Sequence, residues 1–309
     1  MVRPPAGRRQ CDTGSLRGLA EPVENLPPVS TTAVGVAAIR AAEAARPDAL
    51  FEDPIAAKFV RASGATYEPR TAAADSRVAR VITWVRVRTR FLDDLLRDAA
   101  AGGCRQVVLL GAGLDARAFR LDWPAGTTLF ELDLPDILAF KERVVASERL
   151  VPGCARAVVP SDLTGDWQHD LRASGFDPAR ATTWVTEGLL VYLPEAEREA
   201  LVDAITASST AGSRWGLTLA SADQQPRPDA PGATGESVGS VDAAVPARDR
   251  DYMALWQSEA PADLHDWLGT RGWDLAVADA YERAASYGLP LTPNAQTRRH
   301  ARLIDARRR

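Results

Sequence analysis

Lysine is almost missing from this chain. Of its 37 basic residues only Lys58 and Lys141 are lysine, and the rest are arginine. Histidine is scarce too, at His169, His265 and His300. The side chains that most often act as general bases near neutral pH are therefore in short supply. Three cysteines, Cys11, Cys104 and Cys154, are an odd count that cannot complete an internal disulfide framework. A reducing cytoplasm fits that count, and no Cys/His spacing suggests a zinc or other metal site. No apolar run reaches the roughly 18 residues that would span a membrane, and no apolar stretch follows the basic segment 1–10 to make a signal peptide. A formal charge of −4 excludes a basic face built around a nucleic-acid backbone. The absences together describe a cytoplasmic protein with neither nucleic acid nor membrane as partner.

What is present is ordinary globular material, 46% hydrophobic and 25% charged over 309 residues, enough for one large domain or two modest ones. Residues 1–30 carry Gly, Pro and Arg without periodicity and predict a flexible arm. Apolar residues then recur at three- and four-residue steps from Thr31, again after Asp53-Pro54, and over 76–100, so 31–100 reads as a helical cap. At Arg105 the pattern changes. Short apolar, β-branched runs at 106–110, 127–132, 155–159, 182–186 and 215–220 read as buried parallel strands, with helical patterns at 135–148 and 195–208 between them. Two further strands are expected at 273–278 and 300–306. The expectation is an α/β, doubly wound, Rossmann-like domain over 101–309 with a seven-stranded, mostly parallel sheet. Residues 221–250 are rich in Pro, Gly, Ser, Asp and Ala, and with the helical pattern that ends at Leu268 they read as an inserted lid over 221–268.

The run Leu109-Leu110-Gly111-Ala112-Gly113-Leu114-Asp115-Ala116-Arg117 is a strand, a glycine turn and a helix start. Missing side chains at Gly111 and Gly113 let a ligand approach the backbone, whose free amides can donate to it. By itself the pattern serves dinucleotides, nucleotides and S-adenosylmethionine alike. About 20 residues on, the second strand ends in Glu131-Leu132-Asp133, and an acid there can accept both hydroxyls of an adenosine ribose. Glu131 and Asp133 share a strand face, so one of them is the ribose ligand and the other a buried ion-pair partner. A common hydride-transfer pairing puts Tyr four residues before Lys, but Pro54 and Ile137 stand at that spacing before Lys58 and Lys141. An oxidoreductase with a histidine at its centre stays open.

Six segments then occur in one order: Thr32-Ala33 with Leu50-Phe51-Glu52-Asp53-Pro54; Arg88-Thr89-Arg90-Phe91-Leu92-Asp93-Asp94; the glycine loop; Glu131-Leu132-Asp133-Leu134-Pro135; Ser161-Asp162-Leu163; and Glu187-Gly188-Leu189-Leu190-Val191-Tyr192-Leu193-Pro194. Together they resemble the leucine carboxyl methyltransferase family, in its bacterial branch of class I S-adenosylmethionine-dependent methyltransferases. The resemblance implies S-adenosylmethionine as cofactor. It implies that Gly111 and Gly113 pass under the methionine part, that Asp133 holds the ribose and that Asp162 and Leu163 bracket the adenine. Arg86 would pair with the cofactor carboxylate, and Glu187 would lie near the amino-acid end. Each has a plainer alternative: Arg86 and Arg88 as solvated helix charges, Asp162 as a turn cap, Tyr192 as core.

A sulfonium methyl needs a nucleophile aligned in line with it. A carboxylate is ionised at neutral pH and needs no base, whereas a phenol or alcohol does. The scarcity of His and Lys therefore favours a carboxylate acceptor, on a small or peptide-like natural product of secondary metabolism. Glu187 and Tyr192 are the candidate catalytic residues. An amine or amide acceptor with Glu187 nearby is the alternative, as is a cofactor-binding protein without catalysis. The turn Thr186-Glu187-Gly188-Leu189 lacks the Asp/Asn-Pro-Pro-aromatic pattern of nucleic-acid amino-methyltransferases. Met253, Trp256 and Trp267 are expected to line the acceptor pocket.

Overall fold

A computed structural model describes residues 28–65, 77–220, 261–289 and 301–309. Residues 1–27 of the expected arm 1–30 and most of the expected lid, 221–260, lie outside the described residues, and with them Met253 and Trp256, while residues 28–30 are helical. In chain order come α1 (Pro28–Glu43), α2 (Ala56–Ala62), α3 (Arg77–Ala101), β1 (Gln106–Leu110), α4 (Arg117–Arg120), β2 (Thr128–Asp133), α5 (Pro135–Ser147), β3 (Ala155–Pro160), α6 (Trp167–Ala173), β4 (Thr182–Thr186), α7 (Glu195–Ala207), β5 (Arg214–Ala220), α8 (Leu264–Gly269), β6 (Trp273–Asp279), α9 (Ala280–Ser286) and β7 (Ala301–Arg308). A single 3-10 turn, Leu190–Tyr192, precedes α7.

The seven strands form one sheet in the order β3-β2-β1-β4-β5-β7-β6. β1 to β5 are parallel, and β7 runs antiparallel between β5 and β6. This is the mostly parallel, seven-stranded, doubly wound sheet that the alternating runs predict.

Period-two alternation divides the core. Val108 and Leu110 of β1 pack with Phe130, Trp184, Trp215 and Leu217 against α6, α7 and α8 on one face. Val107 and Leu109 turn to the other face, where Val87, Phe91, Leu92, Leu95 and Leu96 of α3 cover them with Ala284 of α9. So α3 lies on the sheet itself. Gly216 is the point of closest approach, since a Cβ there would stand 2.7 Å from Leu92. A third cluster joins α1 and α2 to α5 through Val34, Ala37, Phe59, Ile137 and Phe140.

Trp267 does not reach the sheet's ligand edge. Its ring is buried in the core, and its Nε1 donates to Glu199 Oε2 at 2.8 Å on α7. An indole whose N–H finds a partner is stable in the interior, which removes it from the expected pocket lining.

Candidate active site

Strand order reverses between β1 and β4, and an open α/β sheet binds ligands in the crevice at the carboxyl ends beside such a switch point. The glycine loop leaves β1 there, and the Glu187-Gly188-Leu189 turn leaves β4 there. Gly111 has φ +67° and Gly113 has φ +44°, left-handed values that glycine adopts without strain. A Cβ on Gly113 would stand 3.2 Å from Ala33 Cβ, so α1 roofs the loop. A Cβ on Gly111 would stand 3.0 Å from Leu189 Cδ1.

Asp133, at the end of β2, faces the loop. Its Oδ2 accepts the Gly113 amide at 2.6 Å and its Oδ1 the Leu134 amide at 2.7 Å. A carboxylate offers about four lone-pair positions, so acceptor capacity remains for further donors. Burial pushes the Asp133 carboxyl above the usual aspartate range, against the two amides. Glu131, two residues earlier, is fully buried and belongs to an ion cluster with Lys141 Nζ and Arg156 Nη2, each 2.7 Å from Oε2. Of the two acids that share the strand face, Glu131 is the ion-pair partner.

Asp162 follows β3 and is exposed. Its Oδ1 accepts both the amide and the hydroxyl of Thr164 at 2.9 Å, so it caps the turn with one oxygen. Leu163 beside it is half-buried against the core.

Glu187 is the centre of a buried arginine cluster. Its Oε1 accepts from Arg40 Nη2 at 2.7 Å and Arg88 Nε at 3.0 Å, and its Oε2 from Arg117 Nη1 at 2.7 Å. Arg117 also bonds Asp93 Oδ1 at 2.7 Å and pairs with Asp115. Arg120 reaches Asp93 Oδ2 at 2.6 Å and faces Asp53 Oδ2 at 3.6 Å. Four arginines thus alternate with Glu187, Asp115, Asp93 and Asp53. Burial acts to raise the Glu187 carboxyl, but Arg40, Arg117 and Arg88 together hold it well below the usual glutamate range. A carboxylate so charged and so fully bonded is a poor proton acceptor.

The model of the leucine carboxyl methyltransferase family matches residues 33–206, more than half of the chain and every segment just described. The chain belongs to that family. A Frankia alni protein, named provisionally as an S-adenosyl-L-methionine-dependent methyltransferase, is 44% identical over 284 residues, 90% of this chain and 94% of its own. A Streptomyces avermitilis protein with the same provisional name is 46% identical over 286 residues, 91% of this chain and 96% of its own. In shape, the crystal structure of a DUF574 family protein from Streptomyces avermitilis has a TM-score of 0.52 at 14% identity, covering 91% of this chain and all of that one. That last likeness is one of fold.

Set against the family's motifs, the structure brings Gly111, Gly113, Asp133, Asp162, Leu163, Glu187 and Tyr192 to the carboxyl edge of the sheet. It does not bring Arg86 there. Positions 86 and 88 are 200° apart on a helix, and Arg86 points toward α1 and the loop that follows it. Its Nε lies 2.6 Å from Glu43 Oε2, and its Nη2 donates to the Asp48 carbonyl at 2.7 Å. Arg88 is the residue that faces the Glu187 turn. Its guanidinium lies 5.9 Å from the Trp84 ring centroid, and Tyr192 is among the groups that act on its charge. Among the described residues no group of three or more His, Cys, Asp and Glu side chains could hold a metal. No helix among them is long and apolar enough to cross a membrane.

Proposed function

We propose that this protein transfers the methyl group of S-adenosylmethionine to a carboxylate oxygen of a small or peptide-like acid. Methyl transfer from S-adenosylmethionine is the chemistry that family membership and the relatives' names carry, and the residues present fit that cofactor. Gly111 and Gly113 take left-handed turns packed closely under Leu189 and Ala33, and Asp133 keeps acceptor capacity beside them. Asp133 would take the ribose hydroxyls, and Asp162 with Leu163 the adenine. Arg88, in place of Arg86, would take the cofactor carboxylate. Its Nη1 and Nη2 have no hydrogen-bond partner among the described residues, and Nε already fixes the plane of the guanidinium on Glu187.

The observation that carries the choice of acceptor is the saturation of Glu187 by three arginines. With Asp133 assigned to the ribose, the site then offers no described Glu, His or Lys free to take a proton. His169 and His265 are exposed on α6 and α8, Lys58 pairs with Glu148, and Lys141 is buried beside Glu131. The cofactor supplies an electrophilic sulfonium methyl. An acceptor carboxylate would displace the thioether from that methyl and become an ester, with no proton for this chain's residues to move. Glu187 acts here by orienting Arg40 and Arg88, and Tyr192 would border the acceptor. An amine or amide acceptor would have to give up a proton, which makes it the weaker reading.

Isothermal titration with S-adenosylhomocysteine, with NADH as control, tests the cofactor. Micromolar binding of the former alone is expected, and binding of NADH alone would overturn the assignment.

A further inference from the structure

The glycine loop and the Glu187 turn lie on opposite sides of the switch point, and one side chain joins them. Arg117, at the start of α4, is fully buried. Its Nη1 donates to Glu187 Oε2 at 2.7 Å and also to Asp115 Oδ2 in the glycine loop. Its Nε donates to Asp93 Oδ1 at 2.7 Å and its Nη2 to the Thr89 carbonyl at 3.3 Å, both on α3. The backbone is held as well: the Arg117 amide donates to Asp115 Oδ1 at 2.7 Å, and its carbonyl accepts Trp123 Nε1 at 2.9 Å. A guanidinium presents its donors in one rigid plane, so these bonds fix where Nη1 points.

What Nη1 holds is the second oxygen of Glu187. Oε1 already accepts from Arg40 Nη2 and Arg88 Nε, with the Thr89 hydroxyl at 3.4 Å. Among the described residues Oε2 accepts from Arg117 alone. Compensating the charge of Glu187 therefore does not require Arg117, but fixing its plane does, because the terminal torsion of a glutamate is broad and bonds at one oxygen leave it loose. Arg88 rests on that plane through Nε, its one hydrogen bond among the described residues. The side chain of Arg117 has no exposed surface, so it acts on a ligand only through the groups it holds.

We infer that Arg117 is a positioning residue for the amino-acid end of the cofactor: by bonding Glu187 Oε2 it sets the carboxylate plane on which Arg88 rests, and through Asp115 it ties that plane to the glycine loop. This rests on the reading that Arg88 takes the cofactor carboxylate. Lysine would keep the charge here, but a single ammonium cannot span Asp93, Asp115 and Glu187 in one plane.

The test compares two ligands, S-adenosylhomocysteine and 5′-methylthioadenosine, which share the nucleoside and the thioether but differ in the amino-acid end. Calorimetric titration of both is carried out on wild type, Arg117→Lys, Glu187→Gln and Arg88→Gln. Arg117→Lys is expected to raise the dissociation constant of S-adenosylhomocysteine about tenfold, as loss of one charge-assisted hydrogen bond does, and to leave that of 5′-methylthioadenosine unchanged. A merely structural role would weaken both ligands alike, so equal losses, or none, overturn the inference. Glu187→Gln breaks the same chain at its centre and decides the matter if Arg117→Lys does not fold. The same selective loss is expected there, and an unchanged preference for S-adenosylhomocysteine overturns the inference. If Arg88→Gln does not separate the two ligands, the carboxylate role of Arg88 falls instead.

Discussion

The guanidinium of Arg88 lies against Gly188 where a side chain would stand, with Nη1 3.1 Å and Cζ 3.4 Å from an added Cβ. Gly188 also has φ +65°, and its amide donates to Thr218 Oγ1 at 3.0 Å, which fixes the turn after β4. Gly188→Ala must therefore displace Arg88 and strain the backbone together. The strain costs about 1–3 kcal/mol of stability. Affinity for S-adenosylhomocysteine is expected to fall about tenfold or more, as loss of one charge-assisted hydrogen bond does. Calorimetric titration of the folded variant checks this, and unchanged affinity would take the carboxylate role from Arg88.

Arg117 and Arg40 both reach Glu187, yet they are expected to differ in cost. Arg117 is fully buried and serves Asp93, Asp115 and Glu187. Arg117→Met leaves the buried Asp115 carboxylate without its guanidinium partner and takes one cation each from Asp93 and Glu187, and should cost about 3–5 kcal/mol. Arg40→Gln leaves Glu187 with Arg88 and Arg117 and should cost clearly less. Urea denaturation of the two variants gives the order, and the reverse order would show that α1 docking outweighs the cluster.

Acid should weaken the protein through the same carboxylate. Glu187 is held well below its unfolded value, so its contribution is complete above the unfolded glutamate pKa and is lost as pH falls through the folded one. The window lies below about pH 4.3. Melting temperatures of wild type and Glu187→Gln, measured from pH 7 to 3, should differ most at neutral pH and converge toward pH 3. A constant gap would mean that Glu187 is not the titrating group.

Asp133→Ala removes an acceptor that lies at the end of β2 and outside the arginine cluster. Cofactor affinity is expected to fall by about two orders of magnitude, from the loss of two hydrogen bonds to a charged group. Circular dichroism should show the fold retained. Unchanged affinity would put the ribose elsewhere on the edge.

The sheet was legible because buried parallel strands are short, continuous apolar runs, and 106–110 and 182–186 coincide with β1 and β4. The ligand edge was legible for the same reason: each strand's end marks where its loop must emerge. The choice between Glu131 and Asp133 was not, because it depends on Lys141 and Arg156, which come from α5 and β3. Nor was the arginine cluster, in which Arg40 and Glu187 are 147 residues apart. Arginine is so common in this chain that an individual arginine carries little signal. One clue was available for Arg88: helical geometry puts it on a different side of α3 from Arg86, so only one of the two can face the sheet's edge.

The most direct test of carboxylate methylation is the fate of the label from methyl-tritiated S-adenosylmethionine, incubated with the enzyme and a panel of organic and peptide acids. A carboxyl methyl ester releases its label as volatile methanol on mild base treatment, whereas an N-methyl or ether product keeps it. Base-labile label in product is the predicted result. Base-stable label would contradict the account and return the acceptor to nitrogen or a hydroxyl.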